Sequence, residues 1–171
     1  MFDAIVSGEA DVAFPELVSA LQAGDEPSTV PGVITAGGEG PPPAPIANLD
    51  GLPVPDFHDF FEQADMQLAP QLLFESSRGC WWGQKHQCTF CGLNGLSMQY
   101  RSKSIPRAVD ELVQLTTEYR NNDVFAVDNI LDMRYLRGFF QELARRELSL
   151  ELTYEVKANL TKSQLRVMRD G

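Results

Sequence analysis

The sequence predicts an α/β fold in which a parallel sheet is built from successive strand–helix units. Two observations lead to this prediction. After residue 70, short apolar strands alternate with amphipathic helices, and a segment rich in proline and glycine separates them from an earlier strand–helix pair. Such alternation is typical of parallel strands joined by helical crossovers. A closed barrel needs about eight units, so we expect the first part of a partial (βα) barrel and an internal fragment of a longer protein.

Residues 1–36 predict one strand, a glycine turn and one helix. An apolar run at positions 4–7 precedes Gly8, and Pro15 suits the first turn of the helix that follows. The apolar positions at helical spacing are Phe14, Leu17, Val18 and Leu21. Since one such unit cannot bury both of its faces, we expect residues 1–36 to be the C-terminal remnant of a larger α/β domain.

Residues 37–66 predict a linker between two domains. Six of the eleven prolines lie between positions 37 and 57. A composition this rich in proline and glycine favours extended backbone and does not build a packed core. We therefore place a domain boundary here.

Residues 67–171 predict three strand–helix units. The predicted order is a strand at 71–77, a cysteine loop, a helix capped by Ser104, a strand at 123–128, a helix from Asp132, a strand at 150–156 and a helix capped by Thr161. The predicted buried stripe of the second helix is Leu136, Phe139, Phe140 and Leu143. In such a fold, ligands meet the C-terminal ends of the strands.

The distribution of charge is uneven. The formal net charge is −10, and residues 1–77 contain thirteen acidic and no basic side chains. The sequence has no cluster of basic residues of the kind that binds nucleic acid. It also has no apolar stretch that approaches the roughly 20 residues needed to cross a membrane. The N-terminus carries acidic residues early and lacks the positive region of a secretory signal. We therefore expect a cytoplasmic protein with neither nucleic acid nor membrane as a partner.

The three cysteines of the chain, Cys80, Cys88 and Cys91, lie in one loop with the spacing C-x7-C-x2-C. An odd number excludes a closed disulfide framework. Three thiolates on one loop can hold three irons of a cubane cluster and leave the fourth iron open. A structural zinc site with His86 as the fourth ligand is the alternative, and simply buried cysteines are a further one.

The cysteine loop resembles that of the radical S-adenosylmethionine (radical SAM) superfamily. In that family the usual spacing is C-x3-C-x2-C, with an aromatic residue between the last two cysteines, which is Phe90 here. Trp81, Trp82 and Phe90 would shield such a cluster from water, although the two tryptophans could instead be packing residues. The longer first gap, followed by Gly92-Leu93-Asn94-Gly95, is typical of a subfamily that matures ribosomally made peptides. The resemblance implies a [4Fe–4S] cluster on the three cysteines and S-adenosylmethionine as a cofactor.

The N-terminal residues extend the resemblance. Members of this subfamily carry a cobalamin-binding, Rossmann-like domain before the barrel. Residues 6–11, 14–17 and 30–33 resemble its last strand–helix stretch, and residues 52–56 resemble the bridge between the two domains. The cobalt-ligand motif Asp-x-His-x-x-Gly is absent from this chain. The resemblance thus implies cobalamin in the full-length relative.

The resemblance also implies an activity. The cluster would pass one electron to the sulfonium of S-adenosylmethionine, and the resulting radical would abstract hydrogen from an unactivated carbon, which methylcobalamin then methylates. The implied partners are a ribosomally made precursor peptide and an electron donor. The alternatives are another radical SAM reaction, such as epimerisation, or a non-catalytic metal-binding or peptide-binding remnant.

Further site residues are implied at the strand ends. The second strand ends at Asp128 and Asn129, where the family contacts the methionine amino group, although the family's Gly-Gly-Glu triplet is absent. The third strand ends at Glu155, Lys157 and Asn159, where a polar side chain of the family meets the ribose or the methionine carboxylate. Asp128 could instead cap a turn, and Glu155 and Lys157 could form an ion pair.

Overall fold

The structure is a computed structural model that describes residues 2–63, 70–86, 88–92 and 98–171. Two compact units divide the chain. The first contains residues 2–47 and Gly92, and the second contains residues 48–91 and 98–171 as far as they are described. The predicted linker, residues 37–66, is therefore shared between the two units. The domain boundaries after residues 36 and 66 stay predictions.

The first unit is a small antiparallel sheet with one helix. Its elements are β1 (Ala4–Val6), α1 (Ala10–Ala23), β2 (Val33–Thr35) and β3 (Gly38–Glu39). β2 lies between β1 and β3, with Val6 opposite Val33 and Ile34 opposite Glu39. Leu17, Val30 and Val33 form its core. β2 and β3 were missed by the sequence reasoning, because strands of three and two residues give almost no alternation pattern.

Two predictions about α1 were wrong. The helix begins at Ala10, so Pro15 lies inside it rather than in its first turn. Phe14 and Leu21, predicted on the apolar face, are each 57% exposed. The buried face instead presents Ala13 and Leu17, four residues apart and therefore adjacent on the helix surface.

The second unit confirms the predicted α/β class with a parallel sheet. The sheet strands are β4 (Leu72–Phe74), β7 (Asp123–Ala126) and β8 (Glu151–Thr153), in the order β4-β7-β8. The helices are α2 (His58–Gln63), α3 (Ile105–Tyr119), α4 (Phe139–Arg145) and α5 (Lys162–Asp170). β5 (Ser77–Arg78) and β6 (Arg101–Ser102) form a separate antiparallel pair. Among the described residues, no helix is long and apolar enough to span a bilayer.

Helix caps confirm two of the predicted helix starts. The Ser104 hydroxyl accepts a hydrogen bond from the backbone N–H of Arg107 and caps α3. Thr161 forms a capping box with Gln164 at the start of α5. Both caps satisfy N–H groups that the first helical turn leaves without intrahelical acceptors.

The predicted helix from Asp132 was wrong in its start but right in its buried stripe. Asp132 accepts from the backbone N–H of Arg134 and closes a turn. A 3₁₀ turn at Tyr135–Arg137 follows, and Gly138 adopts a non-helical conformation before α4 begins at Phe139. The four predicted apolar side chains, Leu136, Phe139, Phe140 and Leu143, are all buried.

The main core lies between the parallel sheet and its helices. The fully buried members include Leu72, Phe74, Val109, Leu112, Leu115, Val124, Ala126, Tyr135, Phe139 and Leu143. The rings of Phe74 and Phe139 stack with centroids 6.2 Å apart. Because each large apolar side chain contributes roughly 1.5–3 kcal/mol when buried, this layer holds the strand ends in place.

A buried ion cluster joins α3 to the segment before α2. Lys103 Nζ lies 2.7 and 2.8 Å from the two carboxylate oxygens of Glu111, and both side chains are almost completely buried. Arg107 contacts the same carboxylate at 3.0 Å and also donates to the carbonyls of Asp50 and Leu52. The extended segment around residues 50–52 is thereby fixed to the start of α3.

Lys103→Met tests this cluster. Removing one partner of a buried ion pair leaves an incompletely compensated charge, so we expect the free energy of unfolding to fall by about 3 kcal/mol. Urea denaturation measures the change. Arg169→Met is the matched control, because Arg169 pairs with Asp170 in solvent and its loss should alter stability little. Equal effects of the two substitutions would contradict the assigned role.

His58 lies in an exposed polar cluster at the start of α2. Its Nδ1 is 2.7 Å from Asp56 Oδ1, and its Nε2 is 3.5 Å from Glu118 Oε1. The Tyr119 hydroxyl accepts from the backbone N–H of Phe57 and donates to Asp56. The hydrogen bond to Asp56 is the main cause that raises the pKa of His58 above 6.5.

The raised pKa of His58 predicts a pH dependence of stability. Protonated His58 stabilises the folded state fully below the unfolded value of 6.5, and this contribution is lost as the pH rises through the folded value. The difference in unfolding free energy between wild type and His58→Gln should therefore shrink as the pH rises above 6.5. Chemical denaturation across this range measures it, and in an Asp56→Asn background the slope should flatten.

Candidate cofactor site

The cysteine loop is closed at its base by a strand pair. Ser77 lies opposite Ser102 and Arg78 opposite Arg101 in the β5–β6 pair. Gly79 follows with φ 77°, and a Cβ there would overlap the Gln99 carbonyl oxygen, so only glycine fits this position. The Cys80 N–H then donates to the Met98 carbonyl at 3.2 Å. These contacts fix the entry to the loop beside the end of β4.

The three cysteines are half-buried, and none forms a disulfide. The Gly83 N–H points to Cys80 Sγ at 3.3 Å, and the Cys91 N–H donates to the Cys88 carbonyl at 3.3 Å, which closes a turn between these two residues. Three thiolates are the donor set that iron–sulfur clusters and zinc select. Their chemistry therefore fits the implied cluster.

The geometry of the described residues does not by itself assemble a metal site. Within residues 2–63, 70–86, 88–92 and 98–171, no group of three or more His, Cys, Asp or Glu side chains is placed to hold a metal ion. Ligation by Cys80, Cys88 and Cys91 thus stays a prediction. Phe90, predicted to shield the cofactor, is 91% exposed. Leu93, Asn94 and Gly95 of the predicted Gly-Leu-Asn-Gly signature lie outside the described residues.

Asp128 joins the ends of two parallel strands. Its carboxylate is buried after β7, and Oδ1 accepts the backbone N–H groups of Ser76 and Ser77 at 2.8 and 3.0 Å. Oδ2 accepts the hydroxyls of the same two serines. Burial raises the pKa of Asp128, while these hydrogen bonds act in the opposite direction. The residues that lead into the cysteine loop are thus attached to the neighbouring strand.

Two tyrosine hydroxyls complete this network. Tyr154 donates to Ser76 Oγ at 2.9 Å, and Tyr135 lies 3.2 Å from the Ser76 carbonyl and 3.0 Å from the Lys103 carbonyl. Burial raises the pKa of both phenols, so they stay protonated and act as donors. Ser76 therefore has contacts with β7, with the segment after β8 and with the turn before α4.

Both tryptophans attach the first turn of the loop to segments that follow strands. Trp81 Nε1 donates to the Leu131 carbonyl at 3.0 Å, and the Leu131 N–H donates to the Glu155 carbonyl at 2.9 Å. Lys157 Nζ lies 3.2 Å from the ring centroid of Trp82. The tryptophans thus have the packing role that the sequence also allowed.

The structure brings some of the predicted site residues together. Asp128 and Lys157 contact the cysteine loop or the residues that enter it. The side chains of Asn129 and Glu155 are exposed after β7 and β8. Contacts of these four residues with S-adenosylmethionine stay predictions. The contacts of Ser76 and Ser77 with the Asp128 carboxylate were not predicted from the sequence. The sequence shows only a polar pair at the end of an apolar strand.

Asp128→Ala should disrupt the strand ends. It leaves two buried backbone N–H groups without an acceptor, so we expect the free energy of unfolding to fall by about 2–4 kcal/mol. Asp128→Asn is the matched control, because its amide oxygen can accept the two N–H groups and its NH₂ can donate to the serine hydroxyls. Urea denaturation of both variants checks this. An asparagine variant as unstable as the alanine variant would contradict the acceptor role.

Two known proteins are similar in sequence to this chain. The sequence matches no known protein-family profile. It is 31% identical over 141 residues to hopanoid C-3 methylase of Methylococcus capsulatus, a match that covers 81% of this chain and 26% of the methylase. It is 26% identical over 164 residues to an uncharacterized methyltransferase of Pyrococcus horikoshii, covering 92% of this chain and 35% of that protein. The chain thus spans between a quarter and about a third of these relatives.

A solved structure shares the fold. It is the radical S-adenosylmethionine methyltransferase TsrM from Kitasatospora setae, solved with tryptophan substrate and a SAM analogue. The TM-score is 0.68 with 17% sequence identity, over 98% of this chain and 35% of that one. The likeness shows that this chain shares its fold with part of that structure.

Proposed function

We propose that this chain is part of a radical SAM methyltransferase that holds a [4Fe–4S] cluster on Cys80, Cys88 and Cys91. The observation that carries the proposal is the loop itself, in which three half-buried thiols follow the end of a parallel strand. The relationship to a methylase and the shared fold support methyl transfer as the reaction class.

The residues of the chain have separate tasks in this proposal. The three cysteines would ligate three irons as thiolates. When bound, such a cluster supplies an open iron that can chelate S-adenosylmethionine and one electron for reductive cleavage of the sulfonium. Trp81 and Trp82 attach the first turn of the loop to the segments that follow β7 and β8. Asp128, Asn129, Glu155 and Lys157 follow the same strands, where contacts with S-adenosylmethionine are proposed.

The finer proposal is cobalamin-dependent C-methylation of a ribosomally made precursor peptide. It is supported by the C-x7-C-x2-C spacing and by the resemblance of residues 6–11, 14–17 and 30–33 to a cobalamin-binding domain. Because the cleavage is reductive, a one-electron donor is part of the proposal. The related methylase is named for a hopanoid and the solved structure contains tryptophan, so both compound classes belong in the substrate test beside a peptide.

Anaerobic reconstitution with iron and sulfide tests the cluster. We expect about four irons per chain with a broad visible absorbance, and the loss of both in each variant Cys80→Ala, Cys88→Ala and Cys91→Ala. His86→Ala is the matched control. It lies in the same loop and should leave iron binding intact, whereas a zinc site that uses His86 as a ligand would lose metal.

The same preparation tests the chemistry. With S-adenosylmethionine and a strong reductant, the reconstituted chain should release 5′-deoxyadenosine, and the Cys88→Ala variant should not. Methyl-labelled S-adenosylmethionine then reports transfer to peptide, hopanoid or tryptophan. A colourless protein with one tightly bound zinc would refute the cluster, and labelling of a hopanoid or tryptophan without any peptide would refute the finer proposal.

A further inference from the structure

Lys157 lies against the cysteine loop. Its Nζ is 3.2 Å from the ring centroid of Trp82, well within the roughly 6 Å at which a cation is attracted to an aromatic face. Both side chains are half-buried, so water screens the contact less than on an open surface. The segment that follows β8 thereby contacts Trp82, two positions after Cys80.

Backbone hydrogen bonds within the turn from Cys80 to His86 connect the position of Trp82 to that of Cys80. The Gln84 N–H donates to the Cys80 carbonyl at 3.0 Å, and the N–H groups of Lys85 and His86 donate to the Trp82 carbonyl at 3.0 and 2.8 Å. The Gly83 N–H points to Cys80 Sγ. A displacement of Trp82 therefore moves the backbone and hydrogen-bond donor around the Cys80 thiol.

The turn is also packed from its other side. A Cβ at Gly83 would overlap the Met98 sulfur, so the backbone there lies directly on that side chain. Trp81 is held by the Leu131 carbonyl. The Trp82 ring contacts two rings of the turn, His86 at 4.4 Å and Trp81 at 6.3 Å between centroids, and Lys157 contacts it from outside the turn.

We propose that Lys157 is a positioning residue that holds Trp82 and thereby sets the orientation of the Cys80 thiol. The significance of this for a cluster rests on the proposed function, but the contact itself acts in the metal-free protein. If Lys157 served only to pair with the carboxylate of a bound ligand, its replacement would leave the conformation of the metal-free loop unchanged. The two roles therefore differ in a property that is measurable without cofactor.

The experiment uses the metal-free chain and two signals that originate in this turn. The chain has two tryptophans, Trp81 and Trp82, so intrinsic tryptophan emission reports on the loop alone. The rate of Cys80 alkylation, followed by mass spectrometry of the Cys80 peptide, reports on the thiol. The variants are Lys157→Met, which keeps an apolar stem, and Lys157→Arg, which keeps the cation.

We expect Lys157→Met to shift the tryptophan emission and to raise the rate of Cys80 alkylation about two- to fivefold, the factor that corresponds to loss of a cation–π contact. Lys157→Arg should restore both signals, which a loss of general stability would not explain. Lys162→Met is the matched control, because it removes an exposed lysine from the start of α5 and should leave both signals unchanged. In a Trp82→Leu background, Lys157→Met should no longer change the alkylation rate.

The outcomes separate this proposal from the proposed function. Unchanged emission and alkylation in Lys157→Met would overturn the positioning role even if wild type binds a cluster. A persistent effect of Lys157→Met in the Trp82→Leu background would also overturn it. A wild-type chain that takes up no iron would refute the proposed function, while the metal-free signals would still decide the role of Lys157.

Discussion

The structure of the second unit depends on one buried carboxylate. Asp128 follows β7 and accepts two backbone N–H groups and two hydroxyls from Ser76 and Ser77, which follow β4. The two backbone N–H groups lie after the last residue of β4, where the chain no longer pairs with β7. Without the carboxylate they would be buried with no hydrogen-bond acceptor. The carboxylate therefore determines where the chain leaves the sheet, and with it the point from which the cysteine loop starts.

Further contacts spread from this point along the sheet edge. Tyr154 and Tyr135 reach Ser76 from the segments after β8 and before α4, and the Tyr135 hydroxyl also donates to the Lys103 carbonyl. Lys103 belongs in turn to the buried ion cluster with Glu111 and Arg107. A parallel sheet brings the C-terminal ends of its strands to one edge. Polar side chains that are distant in sequence are therefore linked by hydrogen bonds near the start of the cysteine loop.

The sequence predicted what depends on local chemistry. Ser104 and Thr161 were identified as caps because a hydroxyl before an amphipathic stretch satisfies the first N–H groups of a helix. The start of α4 was misplaced because Asp132 is engaged by Arg134 in a turn. The partners of Asp128 lie about 50 residues away, and no local pattern distinguishes a carboxylate that binds strand ends from one that contacts a cofactor. For the same reason the proximity of Lys157 to Trp82 could not be predicted.

Two of the contacts that attach the cysteine loop and the residues entering it, those of Asp128 and of Lys157, differ in strength. A hydrogen bond to a charged group contributes about 1.5–3 kcal/mol, and Asp128 makes four of them where water is excluded. A partly exposed cation–π contact contributes only about 0.5–1 kcal/mol, and Lys157 makes one. The base of the loop is therefore locked, whereas the contact between Lys157 and Trp82 contributes an energy comparable to thermal fluctuation. A loop of this kind can adjust the Cys80 thiol without disturbing the sheet.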